Sequence, residues 1–362
     1  MSSFGKIIHI NLFGESHGKA IGIIINNLPA GIVLDMKRIE ESLYKRRPKS
    51  NLSTSRQEKD KYEIVSGYYD NKTTGTPLTI IIPNKDTRSK DYTPEVLRPS
   101  HADFTGKIKY NKSNDYRGSG HFSGRITTPL VILGAISEQI LESKGIFVTS
   151  HISSIKDQND TNFSNVQLNK ELALSLNSSD FPLINKDCEG LFKETILNAK
   201  ENKDSVGGII ETAVLGLNPG YGDPFFDSIE STIAHLLFSV PAVKGVEFGK
   251  GFDITKLFGS ESNDSFLMDN GQIKTSTNNS GGIQGGISNG MPITFKTAIK
   301  PTASIGKPQK TVNVETMEEV ILELVGRHDP CIVHRVVHVV NAMTSYGILE
   351  TIVRTEGLKW IK

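Results

Sequence analysis

The sequence predicts an α+β fold in which a layer of helices lies between β-sheets. Three observations lead there. Strand-like runs rich in β-branched residues recur along most of the 362-residue chain. Two segments, Ile126 to Leu141 and Cys331 to Val340, are apolar nearly all round, so helices formed there are buried on more than one side. Strands precede both and follow the first, and buried helices set among strands find their partners in sheets.

The elements follow from hydrophobic period. Strands are expected near 5–13, 20–26, 62–68, 76–83, 145–152, 207–217, 244–249 and 290–299. Helices are expected at 35–46 with Asp35 as N-cap, 125–143, 227–239 with Asp227 as N-cap, 315–325 and 332–352. Residues 156–205 and 259–280 are rich in Asn, Ser, Asp and Lys and read as loops and surface elements. No repeat of solenoid period occurs.

Composition narrows the function classes. A net charge of +1 argues against a general nucleic-acid binder. No apolar run approaches the ~20 residues that span a bilayer, and the N-terminus lacks the blocks of a signal peptide. Two cysteines, Cys188 and Cys331, give no disulfide framework, so a cytoplasmic setting without membrane or nucleic-acid partners is expected.

Arginine is unevenly spread. Of 11 Arg, seven are at 46, 47, 56, 88, 98, 117 and 125, two at 327 and 335, and none lies between 126 and 326. Lysine suffices for a solvated charge, whereas a rigid guanidinium fork suits two-point binding of carboxylate or phosphate. The pattern points to an anion site assembled from both ends of the chain. That in turn makes residues 1–362 one interdependent unit, although the length alone also allows two ordinary domains.

Several short motifs carry chemistry. GESHG, Gly14 to Gly18, fits the G-x-S-x-G nucleophile elbow, but an elbow is a strand-to-helix turn. Here the β-branched run Ile23-Ile24-Ile25 follows, so the glycines open a hairpin and His17 points into the gap. Arg46-Arg47-Pro48 ends a helix, and Arg98-Pro99-Ser100-His101-Ala102-Asp103 stiffens a loop histidine. Asp115 to Arg125, DYRGSGHFSGR, is a glycine-rich loop running into a buried helix, which suits an anion without matching a dinucleotide fingerprint or a P-loop. In Gly326 to His338, GRHDPCIVHRVVH, the pair His334 and His338 invites a metal, but Arg335 stands where a catalytic Glu would be, so no metal is expected.

Taken in order, GESHG, RRP, TTGTPL, RPSHAD, DYRGSGHFSGR, VGG, PAVKGVEFG, GGIQGGISNG, KPTASI and GRHDPC resemble the chorismate synthase family over about residues 4–350. The resemblance implies a β-α-β sandwich of antiparallel sheets around a helical layer. It implies a lyase of the shikimate pathway that converts 5-enolpyruvylshikimate 3-phosphate to chorismate by anti-1,4-elimination, using reduced FMN with no net redox change. A homotetramer is implied, with NADPH or a separate flavin reductase as the source of reduced flavin.

Carried over by motif, His17 is the implied general acid for the departing phosphate, and His101 keeps the reduced flavin suitably protonated. Asp329 takes a proton from the flavin, while Ser16 and Ser123 are hydrogen-bonding helpers. Histidine suits its roles because its ordinary pKa of ~6.5 lies near working pH. The implied FMN contacts are His121, Phe122, Ser123, Ala242, Gly285, Lys300, Pro301, Thr302, Ala303, Ser304 and Arg327. Arg46, Arg125 and Arg335 are the implied substrate anchors, Arg46 also matching a position linked to NADPH. Three departures stand out: Lys49-Ser50-Asn51-Leu52 lacks a second arginine linked to NADPH, His121 replaces an arginine, and His334 and His338 replace proline.

Overall fold

In the computed structural model, residues 2–49, 51–53, 58–86, 94–324 and 328–362 are described. Two five-stranded antiparallel sheets enclose a helical layer. The first runs in the order Ser3–Phe4, Ile10–Gly14, Ala20–Ile25, Leu78–Pro83, Glu63–Ser66. Its register sets Ile21, Ile23 and Ile25 opposite Ile82, Ile80 and Leu78, so one period-two face of six aliphatic side chains is buried. The second runs Val243–Phe248, Ile293–Ile299, Gly208–Leu215, Phe147–Ile155, Gln158–Asn159.

Between the sheets, the helix Thr128–Ser143 packs on strands Ala20–Ile25 and Leu78–Pro83, and the helix Val333–Glu356 packs on Phe147–Ile155 and Gly208–Leu215. Gly134 lets these helices touch: a Cβ there would lie on top of Ala342. Met36–Arg46 and Ile229–Phe238 complete the layer, and one continuous apolar core joins both sheets to it. Among the described residues, Val333–Glu356 is the one helix long and apolar enough to cross a membrane, yet 89% of its apolar window is buried inside the protein.

Asp35 caps Met36–Arg46 as expected, accepting from the N–H of Lys37 and Arg38. Other expectations are corrected. The N-cap of Ile229–Phe238 is Ser228, whose hydroxyl accepts from Ser231 N at 3.0 Å, while Asp227 pairs with Lys6 and Arg354. The expected strand at 5–13 is confined to Ile10–Gly14. Buried Glu350 takes the N–H groups of Lys6, Ile7 and Ile8 at 2.6–2.9 Å, so those donors are lost to a ladder. In place of the expected helix at 315–325, Glu318–Leu322 pairs antiparallel with Gln309–Asn313; β-branched Val320 and Ile321 outweigh the helix-favouring Glu residues.

Residues 156–205 contain two helices, Lys170–Ser178 and Cys188–Glu201, that cover the outer face of the second sheet. They bury few positions (Ala173 and Leu176, then Phe192 and Ile196), so the apolar stripe is diluted by polar residues. Because both faces of the sheet are covered, Phe147–Ile155 is buried along its whole length. Within 259–280, Phe266–Asp269 and Gln272–Thr275 form a hairpin.

Candidate active site

The GESHG segment is the turn between antiparallel strands Ile10–Gly14 and Ala20–Ile25. Ser16 is therefore on a hairpin, fully buried, and not on a strand-to-helix elbow. The glycine-rich loop closes over it. Ser16 N–H donates to Gly120 O at 3.0 Å. His121 Nδ1–H donates to Gly14 O at 2.8 Å, which leaves Nε2 to accept from the Ser2 hydroxyl at 2.8 Å. Gly118, Ser119 and Gly120 hold φ of 59°, 67° and 52°, a left-handed path that favours glycine. At Gly118 glycine is also required by space, since a Cβ would sit 2.5 Å from the His17 ring and 2.9 Å from Ser16 Oγ. Ser123 Oγ accepts from Arg125 N at 3.3 Å and caps the turn that enters the Thr128–Ser143 helix.

The RPSHAD and KPTAS segments meet. His101 Nδ1–H donates to Pro99 O at 3.1 Å, so its Nε2 accepts from the Ser304 hydroxyl at 2.9 Å. Lys300 Nζ donates to Ser100 O at 2.9 Å. Burial, helped by the Arg98 charge, pushes His101 down from 6.5 to about 4, so the ring is a neutral imidazole at pH 7. Arg98 is itself held by a fork onto Asp103, at 2.7 and 2.8 Å.

A third group is cationic. Arg125 donates through Nη1 to Asp60 and through Nε to Asn84 Oδ1 at 3.1 Å, while its buried Nη2 has no hydrogen-bond partner among the described residues. Arg335 Nη1 donates to Asp329 Oδ2 at 3.0 Å and its Nε to the backbone carbonyl of Arg46 at 3.1 Å. Thr302 Oγ1 donates to Asp329 O at 2.6 Å, joining this group to the KPTAS turn.

These groups line one cavity of about 970 Å³. Its walls include His17, Arg46, His101, His121, Phe122, Ser123, Arg125, Ala242, Lys300, Pro301, Thr302, Ala303, Ser304, Asp329 and Arg335. Arg46, Arg98, Arg125 and Arg335 thus converge from both ends of the chain, whereas Arg47 and Arg117 stand outside the lining and Arg56 and Arg88 lie outside the described residues. Two expected site residues do not line the cavity: Ser16 is buried behind His17, and Gly285 sits in the tight turn between Ile283–Gln284 and Ile287–Ser288. Arg327 lies outside the described residues.

Sequence reasoning missed Asp60 and Asn84, and gave Asp115 no role although it opens the glycine-rich loop motif. Asp60 sits among ordinary charges in Glu58-Lys59-Asp60-Lys61, and only folding shows it under three guanidiniums. Asp115 holds Arg117 in a fork, and that bond, with the nearby His17, keeps its carboxyl below the usual range. Among the described residues no group of three or more His, Cys, Asp or Glu is placed to hold a metal. His334 Nε2 bonds the Ser53 hydroxyl at 2.8 Å, and His338 Nε2 lies 3.5 Å from Asp180 O.

The architecture is an α+β sandwich with guanidiniums and a neutral imidazole around one large cavity. The family follows from comparison. The chain belongs to the chorismate synthase family, whose model matches residues 8–353. A chorismate synthase of Dehalococcoides mccartyi is 42% identical over 98% of this chain and 97% of its own length. One from Thermococcus kodakarensis is 41% identical over 97% of each. A solved structure titled "Crystal Structure of Chorismate Synthase" aligns at a TM-score of 0.76 with 28% identity, covering 98% of this chain and 96% of that one.

Proposed function

We propose that the chain is an FMN-dependent lyase that eliminates phosphate from 5-enolpyruvylshikimate 3-phosphate to give chorismate. The convergence of His17, His101 and the guanidiniums of Arg46, Arg125 and Arg335 on one cavity carries this reading. The substrate bears two carboxylates and a phosphate, and FMN bears another phosphate. About 970 Å³ is at the upper end of single-ligand pockets and leaves room for both.

The residues fit the flavin. Its proposed contacts are the His121-Phe122-Ser123 stretch, the Lys300–Ser304 turn and Ala242; Arg327 follows from the family pattern alone, as does Gly285, which stands outside the cavity lining. The orphaned Nη2 of Arg125 suits an anionic oxygen in the same cavity. Held there, reduced FMN would supply transient electron density for the elimination with no net change of oxidation state.

The chain's residues supply the rest. His17 gives its proton to the departing phosphate, held in place by the bare backbone of Gly118 and the buried Ser16. His101, neutral and fixed by Pro99 and Ser304, governs protonation at the flavin face of the cavity. Asp329, oriented by Arg335, accepts the outgoing proton. Arg46, Arg125 and Arg335 orient the anionic groups.

Reduced flavin is supplied either by NADPH in place or by a separate flavin reductase, and Lys49, near the position of the missing NADPH-linked arginine, pairs with Asp180 at 2.6 Å. Exposed Phe225, Phe226, Phe252 and Phe258 supply apolar surface for the proposed homotetramer in the cytoplasm. The test is anaerobic incubation with dithionite-reduced FMN and the shikimate ester, following chorismate absorbance. Tight flavin binding without product would mark a non-catalytic relative. Ester cleavage requiring Ser16 and no flavin would mark a hydrolase.

A further inference from the structure

We propose that Asp60 is a positioning residue for the reaction: its buried carboxylate holds the guanidinium of Arg125 so that a substrate anion meets a fork already oriented. This rests on the substrate class given above. Asp60 lies in the cavity wall with a side chain 1% exposed. One oxygen takes Arg125 Nη1 and the other faces Arg47 Nε at 3.4 Å. Arg47 is tied in turn to the Lys59 carbonyl and stands outside the cavity lining, so it anchors Asp60 from behind. Asn84 Oδ1 fixes a second nitrogen of Arg125. Two of the three guanidinium nitrogens are therefore tethered, and the third is buried without a partner among the described residues.

The electrostatics agree. Burial alone would push the Asp60 carboxyl up, but Arg46, Arg125 and Arg47 hold it below the usual carboxylate range. It is thus ionised at any working pH, and one negative charge stands among three positive ones. Without it, the charges of Arg46, Arg125 and Arg47 would stand together uncompensated and Arg125 would lose its anchor. Asp60 also has φ of 46°, a conformation that Asn adopts readily, so Asp60→Asn keeps the backbone while removing the charge.

A counter-ion and a positioning residue predict opposite results. Were Asp60 merely a competing anion, removing it would tighten binding of the phosphoester. Positioning predicts that Asp60→Asn raises the KM for the ester about 10- to 100-fold, the range of a lost charge-assisted hydrogen bond, with kcat changed far less. The affinity for FMN would stay within about twofold, a limit well inside one such bond. Asp60→Glu, which keeps the charge but moves it, would give an intermediate KM. Binding is read by calorimetry with the ester and no flavin, and folding by circular dichroism. Unchanged or tighter ester binding in folded Asp60→Asn overturns the proposal. If that variant does not fold, wild-type KM in Asp60→Glu overturns it instead. If the wild type binds the ester but makes no chorismate while Asp60→Asn loses the binding, the catalytic reading fails and the positioning role stands.

Discussion

His101 accepts a hydrogen bond from Ser304 at 2.9 Å across 203 residues of chain, while its other nitrogen donates to the Pro99 carbonyl. The ring is thereby locked in one tautomer and one orientation. Replacing His101 by Ala should keep FMN binding and slow turnover ~10²-fold or more, the usual size of an acid–base contribution. Ser304→Ala, which frees the ring without removing it, should cost about tenfold. Turnover by chorismate absorbance and flavin affinity by fluorescence quenching check both; an unchanged rate in His101→Ala removes it from the mechanism.

Gly118 tests how closely His17 is held. An alanine Cβ would meet the imidazole at 2.5 Å in a backbone conformation unfavourable to it. Gly118→Ala should slow turnover by about 10- to 100-fold through displaced geometry, while the circular dichroism spectrum stays that of the wild type. Full activity in this variant would show that the loop does not position His17.

Gly134 has a purely structural role. A methyl there collides with Ala342 where the two central helices cross, so Gly134→Ala should destabilise the fold by about 3 kcal/mol through overpacking. Urea denaturation measures it, and a loss below ~0.5 kcal/mol, the size of an ordinary surface change, would contradict the packing.

Three histidines, His334 buried and His101 and His338 half-buried, set an acid limit. Burial first, then the nearby cations Arg98, Arg335 and Lys45 respectively, push His101 and His334 down to about 4 and His338 to about 3. Each stays neutral in the native state while the unfolded chain takes a proton near 6.5. Their contribution is therefore complete above 6.5 and is lost as pH falls from there through about 4 and on toward 3. His151 works in the opposite sense. Burial alone would lower it, but hydrogen bonds to Asp160 and Glu211 raise it, so its contribution is present below 6.5 and lost as pH rises through the raised value. Between pH 6.5 and 4 the melting temperature should fall, and His334→Gln with His338→Gln should flatten the fall. A slope unaffected by both substitutions would contradict the account.

Much of this was legible before the structure. The all-apolar runs at 126–141 and 331–340 made a buried helical layer the economical answer, and Asp35 capped the helix it was expected to cap. The misses have physical causes. Glu350 sits in an apolar helix, and nothing local says that it takes three N–H groups from the opposite end of the chain. The helices at Lys170–Ser178 and Cys188–Glu201 bury too few positions to show a period. At the site, residue types that rarely occur without purpose (Arg, and His beside Gly or Pro) gave themselves away. Asp60 and Asn84 did not, because their work is to hold other side chains.

The central claim is tested most directly by one anaerobic single-turnover mixture of enzyme, reduced FMN and the shikimate ester, sampled for both phosphate and chorismate. Equal amounts of the two, formed together and only with reduced flavin, are the predicted result. Phosphate released without chorismate, or at the same rate with oxidised or absent flavin, would contradict it.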